Sequence, residues 1–200
     1  MRIIGLTGAA GAGKDTTADT LCELVPGATR FAFADALREE IARAFGIDAR
    51  ALADPYTKQT RSERLALRHC TDAGFVSYAW ELAGLPGLMP RTAMQRWGDY
   101  RRAQDPDYFI LPALRARLRA VEEQSPLLIV TDVRFPNEAA WLRRVGGELW
   151  RIVRPGVTAG RHISDLALQG EIADQLILND DGFEHLRRIV VDLLTSHAGQ

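Results

Sequence analysis

The feature that narrows the fold most is a run of small residues ending in lysine, Gly8-Ala9-Ala10-Gly11-Ala12-Gly13-Lys14. It follows a short apolar run, Arg2 to Thr7, that reads as a buried strand. It opens a stretch, Lys14 to Val25, in which Ala18, Leu21, Cys22 and Val25 recur at helical spacing. Strand, glycine-rich loop and helix in that order make the P-loop pattern. Ala10, Gly11, Ala12 and Gly13 are small enough for consecutive backbone N–H groups to curl around a β-phosphate. The helix amino end adds positive potential, and Lys14 reaches between β- and γ-phosphates. A flexible Gly/Ala turn would explain the small residues, but neither the terminal Gly-Lys nor the strand-to-helix setting. The expected ligand is ATP.

One position departs from the pattern. The residue after the lysine is Asp15, where a serine or threonine hydroxyl usually meets magnesium, and Thr16 comes one place later. Asp15 can meet Mg²⁺ directly or through water, because hard oxygen ligands suit that ion. It can also simply favour the positive end of the helix.

Downstream, Thr29 to Phe33 reads as a second strand and Asp35 as the cap of a helix whose Leu37, Ile41, Ala44 and Phe45 share one face. Residues 46–90 are rich in charge and broken by Pro55, Gly74, Gly84, Pro86 and Gly87, so they are expected to form a helical insertion over one end of the sheet. Helical spacing returns over Arg91 to Trp97 and from Pro106 to about Glu123. The strongest strand follows, Leu127 to Thr131, closed by Asp132. Asn137 to Val145 reads as helix, Glu148 to Val153 and Gln175 to Leu178 as strands. Phe183 to Leu194 reads as a closing helix with Phe183, Leu186, Val190 and Leu193 inward. This alternation predicts a three-layer α/β fold, a parallel sheet flanked by helices, in a single domain with ligands at the carboxyl ends of the strands.

Composition sets the outer bounds. The 200 residues carry 25 basic and 26 acidic side chains, so no overall field draws the chain to a nucleic-acid polymer or an anionic membrane. Any phosphate site must be local. Cys22 and Cys70 lack zinc or redox spacing, and no signal peptide or membrane span is evident, so a cytoplasmic protein is expected.

Gly13 to Asp19, Gly-Lys-Asp-Thr-Thr-Ala-Asp, resembles the P-loop of the phage-type deoxynucleoside monophosphate kinases, aspartate included. Further matches follow in the family's order: Arg91 with Met94-Gln95 and Gly98, Asp132-x-Arg134 with Glu138, Val153-Arg154-Pro155-Gly156, His162-Ile163, and Asn179-Asp180 with Gly182. The resemblance covers almost the whole chain and is weakest between Gly46 and Pro90. It implies an ATP- and Mg²⁺-dependent kinase acting on a deoxynucleoside 5′-monophosphate, with a lid, and a homodimer.

Transfer to a phosphate acceptor needs positioning and positive charge more than a general base, because the acceptor is already ionised near neutral pH. The resemblance gives Arg134 to the acceptor or transferring phosphate, with an ion pair to Glu138 as the local alternative. Asp132 is left between the magnesium water shell and the acceptor. Asp35, Arg38, Arg91, Gln95 and Glu138 are expected on the acceptor side. Against those roles stand an N-cap for Asp35, a solvated helix face for Arg38 and exposed helix surface for Gln95. Arg154 is expected near ATP, on a turn that Pro155 and Gly156 explain equally well. Asp15, Thr16 and Asp132 are the candidate metal ligands. Trp80, Trp97, Trp141 and Trp150 are expected to pack rather than stack on a base. Two rival readings remain: a P-loop kinase for another small acceptor, such as dephospho-coenzyme A or a phosphorylated metabolite, and a nucleotide-binding switch that acts through a partner.

Overall fold

The computed structural model describes residues 1–54, 56–157, 167–168 and 170–196. They fall into two compact units, one made of Met1–Phe33 and Ile110–Gln200, the other of Ala34–Phe109. The second unit is wider than the insertion expected from sequence, with 46–90 forming its middle.

The first unit holds a parallel five-stranded sheet in the order β2-β3-β1-β4-β5. Its strands are β1 (Arg2–Thr7), β2 (Thr29–Phe31), β3 (Leu127–Val130), β4 (Glu148–Val153) and β5 (Gln175–Leu178). Successive side chains point to opposite faces, and the central strands are apolar on both, as a sheet covered on two sides requires. On one face Ile4, Leu6, Leu127, Ile129, Trp150, Ile152 and Ile177 pack with Ala18 and Leu21 of α1 (Lys14–Leu24) and with Leu186 and Val190 of α7 (Gly182–Ser196). Cys22 packs on the edge of this cluster, and burial pushes its thiol pKa up. The other face carries α6 (Pro136–Arg144), which packs on β4 and β1, and α5 (Ile110–Glu122), which packs on β2. Gly5 belongs to this face because a Cβ there would overlap Leu142 of α6. Full burial of Leu127 to Val130 accounts for the strength of that strand signal.

The second unit contains α2 (Phe33–Phe45), which begins on the last residue of the first unit, then α3 (Ala73–Tyr78) and α4 (Pro90–Gln104). Short 3₁₀ turns link them, at Ala49–Leu52, Glu63–Leu65, Leu67–His69 and Trp80–Leu82. The core centres on Phe75, whose ring lies 4.6 Å from Trp97, 5.7 Å from Tyr100 and 6.4 Å from Phe45. Beside it, Arg101 donates to Glu40 at 2.8 Å and Asp72 at 3.1 Å, and its guanidinium lies over Trp97, Tyr100 and Tyr108. Burial alone would lower the Arg101 pKa. The hydrogen bond and charge of Glu40, with Asp72 adding to them, outweigh it and hold the pKa above its ordinary value.

Two expectations are corrected here. Asp35 does not cap α2: the helix starts at Phe33, so Asp35 sits in the first turn, paired with Arg38 one turn on. Trp97, Trp141 and Trp150 are buried packing residues as expected, but Trp80 is 73% exposed.

Candidate active site

The strand order reverses around β1, whose neighbours β3 and β4 lead to opposite sides of the sheet. A crevice opens at the carboxyl ends where such a reversal occurs. β1 runs into the glycine-rich loop, β3 into Asp132 and Arg134, β4 into Arg154, and β5 into Asn179. Four separate sequence segments thus meet one edge of one sheet because the strands are parallel and in register.

The loop adopts a conformation only glycine takes without strain at its two ends. Gly8 has φ of 144° and a Cβ there would overlap the Ile152 carbonyl. Gly13, at φ of 111°, forms the N-cap of α1 and would bring a Cβ within 2.5 Å of the Asn179 amide. Lys14 folds back over the loop and donates from Nζ to the carbonyls of Gly8 at 2.8 Å and Ala9 at 2.9 Å. Asn179 braces it from below: its Nδ2 donates to the Ala12 carbonyl at 2.8 Å, while its backbone N–H donates to Val153 at 2.8 Å. Thr17 Oγ1 donates to the Gly13 carbonyl at 2.9 Å. The N–H groups of Lys14, Asp15 and Thr16, in the first turn of α1, have no intrahelical partners.

A cavity of about 300 Å³ beside them is lined by Gly11, Gly13, Lys14, Asp15, Thr16 and Arg154, and by Asn179, Gly182, Phe183 and Leu186. Of the residues expected to cradle the triphosphate, Gly11, Gly13, Lys14, Asp15, Thr16 and Arg154 border this space, and Ala10 and Ala12 are not part of its lining. Phe183 corrects the sequence reading. It is half exposed and lines this cavity instead of turning inward with Leu186 and Val190. Asn179 appeared in a motif without a task, and its brace on Ala12 is the task. Its signal in the sequence was position alone: the first residue after a strand end.

On β3's extension, Asp132 is buried and its Oδ1 accepts the Phe33 N–H at 2.7 Å, tying the end of β2 to β3. Glu138 is 2% exposed, and its Oε2 accepts the backbone N–H groups of Arg134 at 2.8 Å and Phe135 at 3.1 Å. A first-turn carboxylate satisfies two amide donors at the head of α6 and stands at the positive end of its dipole. Glu138 thus holds the backbone from which Arg134 springs. Asp35, Arg38, Arg91 and Gln95 all belong to the second unit, Arg91 and Gln95 one helical turn apart on α4 and Arg38 on α2. His162 lies outside the described residues. Among the described residues, no three His, Cys, Asp or Glu side chains gather as a metal cluster, and no helix is long and apolar enough to cross a membrane.

No family model matches the chain. Among curated proteins it is similar to one of Acanthamoeba polyphaga mimivirus named "Putative deoxynucleotide monophosphate kinase". The two are 28% identical over 194 residues, 89% of this chain and 88% of the other. The chain is a distant relative of a viral protein named for kinase activity.

Proposed function

We propose that the chain is an ATP- and Mg²⁺-dependent kinase that converts a deoxynucleoside 5′-monophosphate to its diphosphate by in-line transfer. The observation that carries this reading is the convergence at one sheet edge of a braced glycine-rich loop, its lysine, a strand-end carboxylate and an arginine held by Glu138. This set supplies anion-binding amides and cations without a nucleophile–base pair. Phosphoryl transfer to an ionised acceptor asks for nothing more.

On this reading Lys14 leaves the Gly8 and Ala9 carbonyls for the β- and γ-phosphates, and Arg134 neutralises the equatorial oxygens of the moving group. Asp15, Thr16 and Asp132 would hold Mg²⁺ through hard oxygen atoms. When bound, the ion neutralises charge on the β- and γ-oxygens. Arg154 and the exposed ring of Phe183 flank the donor base, and Arg38, Arg91, Asp35 and Gln95 serve the acceptor. The viral relative's name supports the choice of acceptor.

Steady-state assays with ATP, Mg²⁺ and each nucleoside and deoxynucleoside monophosphate test the proposal. Turnover is expected on at least one deoxynucleotide, and turnover only on a non-nucleotide acceptor would overturn the substrate assignment while keeping the kinase.

A further inference from the structure

Two stretches of the second unit run past each other in opposite directions at the entry to α4. The Arg91 N–H donates to the Lys58 carbonyl at 3.1 Å and the Ser62 N–H to the Leu88 carbonyl at 2.9 Å, so residues 58–62 lie antiparallel beside residues 87–91. Gly87 lets the backbones approach, because a Cβ there would fall 2.0 Å from the Ser62 carbonyl oxygen. Arg61 closes the junction by donating from Nη1 to the Gly87 carbonyl at 3.1 Å.

The charge of this junction is one-sided. It carries Lys58, Arg61 and Arg91, and neither Lys58-Gln59-Thr60-Arg61-Ser62 nor Gly87-Leu88-Met89-Pro90-Arg91 contains an acid. The acids that flank residues 58–62 in sequence have other partners. Asp54 accepts from the Tyr56 N–H at 2.9 Å and from the Thr57 hydroxyl at 3.0 Å, while Glu63 accepts from Arg68 at 2.6 Å and meets His69 at 3.2 Å. Lys58 is half-buried, and among the described residues its ammonium has neither a hydrogen bond nor an ion pair. A partly buried cation without a counter-ion gives up hydration for nothing in return, so Lys58 is the group that needs a ligand. The amino end of α4, which has no side-chain cap, adds positive potential to the same junction.

A phosphate dianion fits this set. Lysine offers a compact point charge on a flexible stem and arginine a planar fork of donors, and both suit phosphate oxygens. Arg61 spends one donor on Gly87 and keeps the rest of its fork. We propose that Lys58, together with Arg61 and Arg91, binds the 5′-phosphate of the acceptor nucleotide. The proposal rests on the kinase reading above and deepens it, adding Lys58 and Arg61 to the acceptor side and saying which end of the acceptor this junction holds.

Isothermal titration calorimetry of the full chain with deoxynucleoside 5′-monophosphates tests this without relying on turnover. Lys58→Gln keeps most of the stem and removes the charge. It is expected to weaken monophosphate binding about tenfold or more, the scale of a hydrogen bond to a charged group, with ATP affinity and the far-ultraviolet spectrum unchanged. Lys58→Arg keeps the cation and is expected to retain most of the affinity. In turnover, Lys58→Gln raises KM for the acceptor far more than it lowers kcat. Monophosphate bound equally by wild type and Lys58→Gln would overturn this assignment and leave the kinase reading standing. Equal losses in Lys58→Gln and Lys58→Arg would overturn it too, by making the position structural, and so would inorganic phosphate that binds as tightly as the monophosphate. A wild-type chain that binds ATP and no monophosphate would overturn both readings.

Discussion

Lys14 and Asn179 are the side chains on which the loop depends, and they fail differently. On the proposed reading Lys14→Ala removes the cation for the phosphates, and kcat/KM is expected to fall at least about 100-fold, the scale of losing one transition-state donor. The circular dichroism should not change, because the loop keeps its Asn179 brace. Asn179→Ala leaves the buried Ala12 carbonyl without its donor. A stability loss of about 1–3 kcal/mol in denaturant unfolding is expected, with weaker ATP binding as a secondary effect. Phe183→Ala should weaken ATP about tenfold, the scale of one base–aromatic stack, and leave inorganic tripolyphosphate binding unchanged. Equal loss for both ligands would place the ring's contribution elsewhere. The sequence singles out Lys14 because its spacing is itself the motif. It could not identify Asn179 or Phe183, because one acts through a partner 167 residues away and the other depends on how the first turn of α7 is set after Gly182.

At the scale of elements, the glycine-rich loop is tightest where β4 passes beneath it. Gly8→Ala puts a Cβ on the Ile152 carbonyl, which belongs to a central strand and cannot give way. The variant should lose more than about 2 kcal/mol and all measurable activity. Gly46→Ala is the control: φ is 63° but nothing lies within 4 Å, so only the roughly 1 kcal/mol of left-handed backbone is lost. The strands were legible in the sequence because burial on both faces leaves continuous apolar runs, as in Leu127 to Val130. The 46–90 segment was not. Its 3₁₀ turns are too short to show a period, and its order comes from single contacts such as Arg61 donating to the Gly87 carbonyl at 3.1 Å. Asp35 misled for a related reason: an acid in the first helical turn and an acid at the cap look alike in sequence.

For the molecule as a whole, each of the two compact units has a core of its own. The glycine-rich loop, Asp132, Arg134 and Arg154 belong to the sheet-bearing unit, and in the second unit Arg101 joins two carboxylates to a cluster of rings. Arg101→Ala leaves Glu40 and Asp72 short of their cation, and about 2–4 kcal/mol of stability should go with it. Melting followed by tryptophan fluorescence, which Trp97 reports from the second unit, should register that loss first. The fold class could be read from the strand and helix alternation. The division at Ala34 and Phe109 could not, since nothing in composition changes there. The claim that joins these parts is that the braced loop hands a phosphoryl group to another phosphate. Phosphorus NMR of the chain mixed with ATP, Mg²⁺ and a panel of deoxynucleoside monophosphates observes that transfer directly. The account predicts equimolar ADP and deoxynucleoside diphosphate, abolished by Lys14→Ala. ATP left intact, or hydrolysed to free phosphate with every monophosphate unchanged, would contradict it.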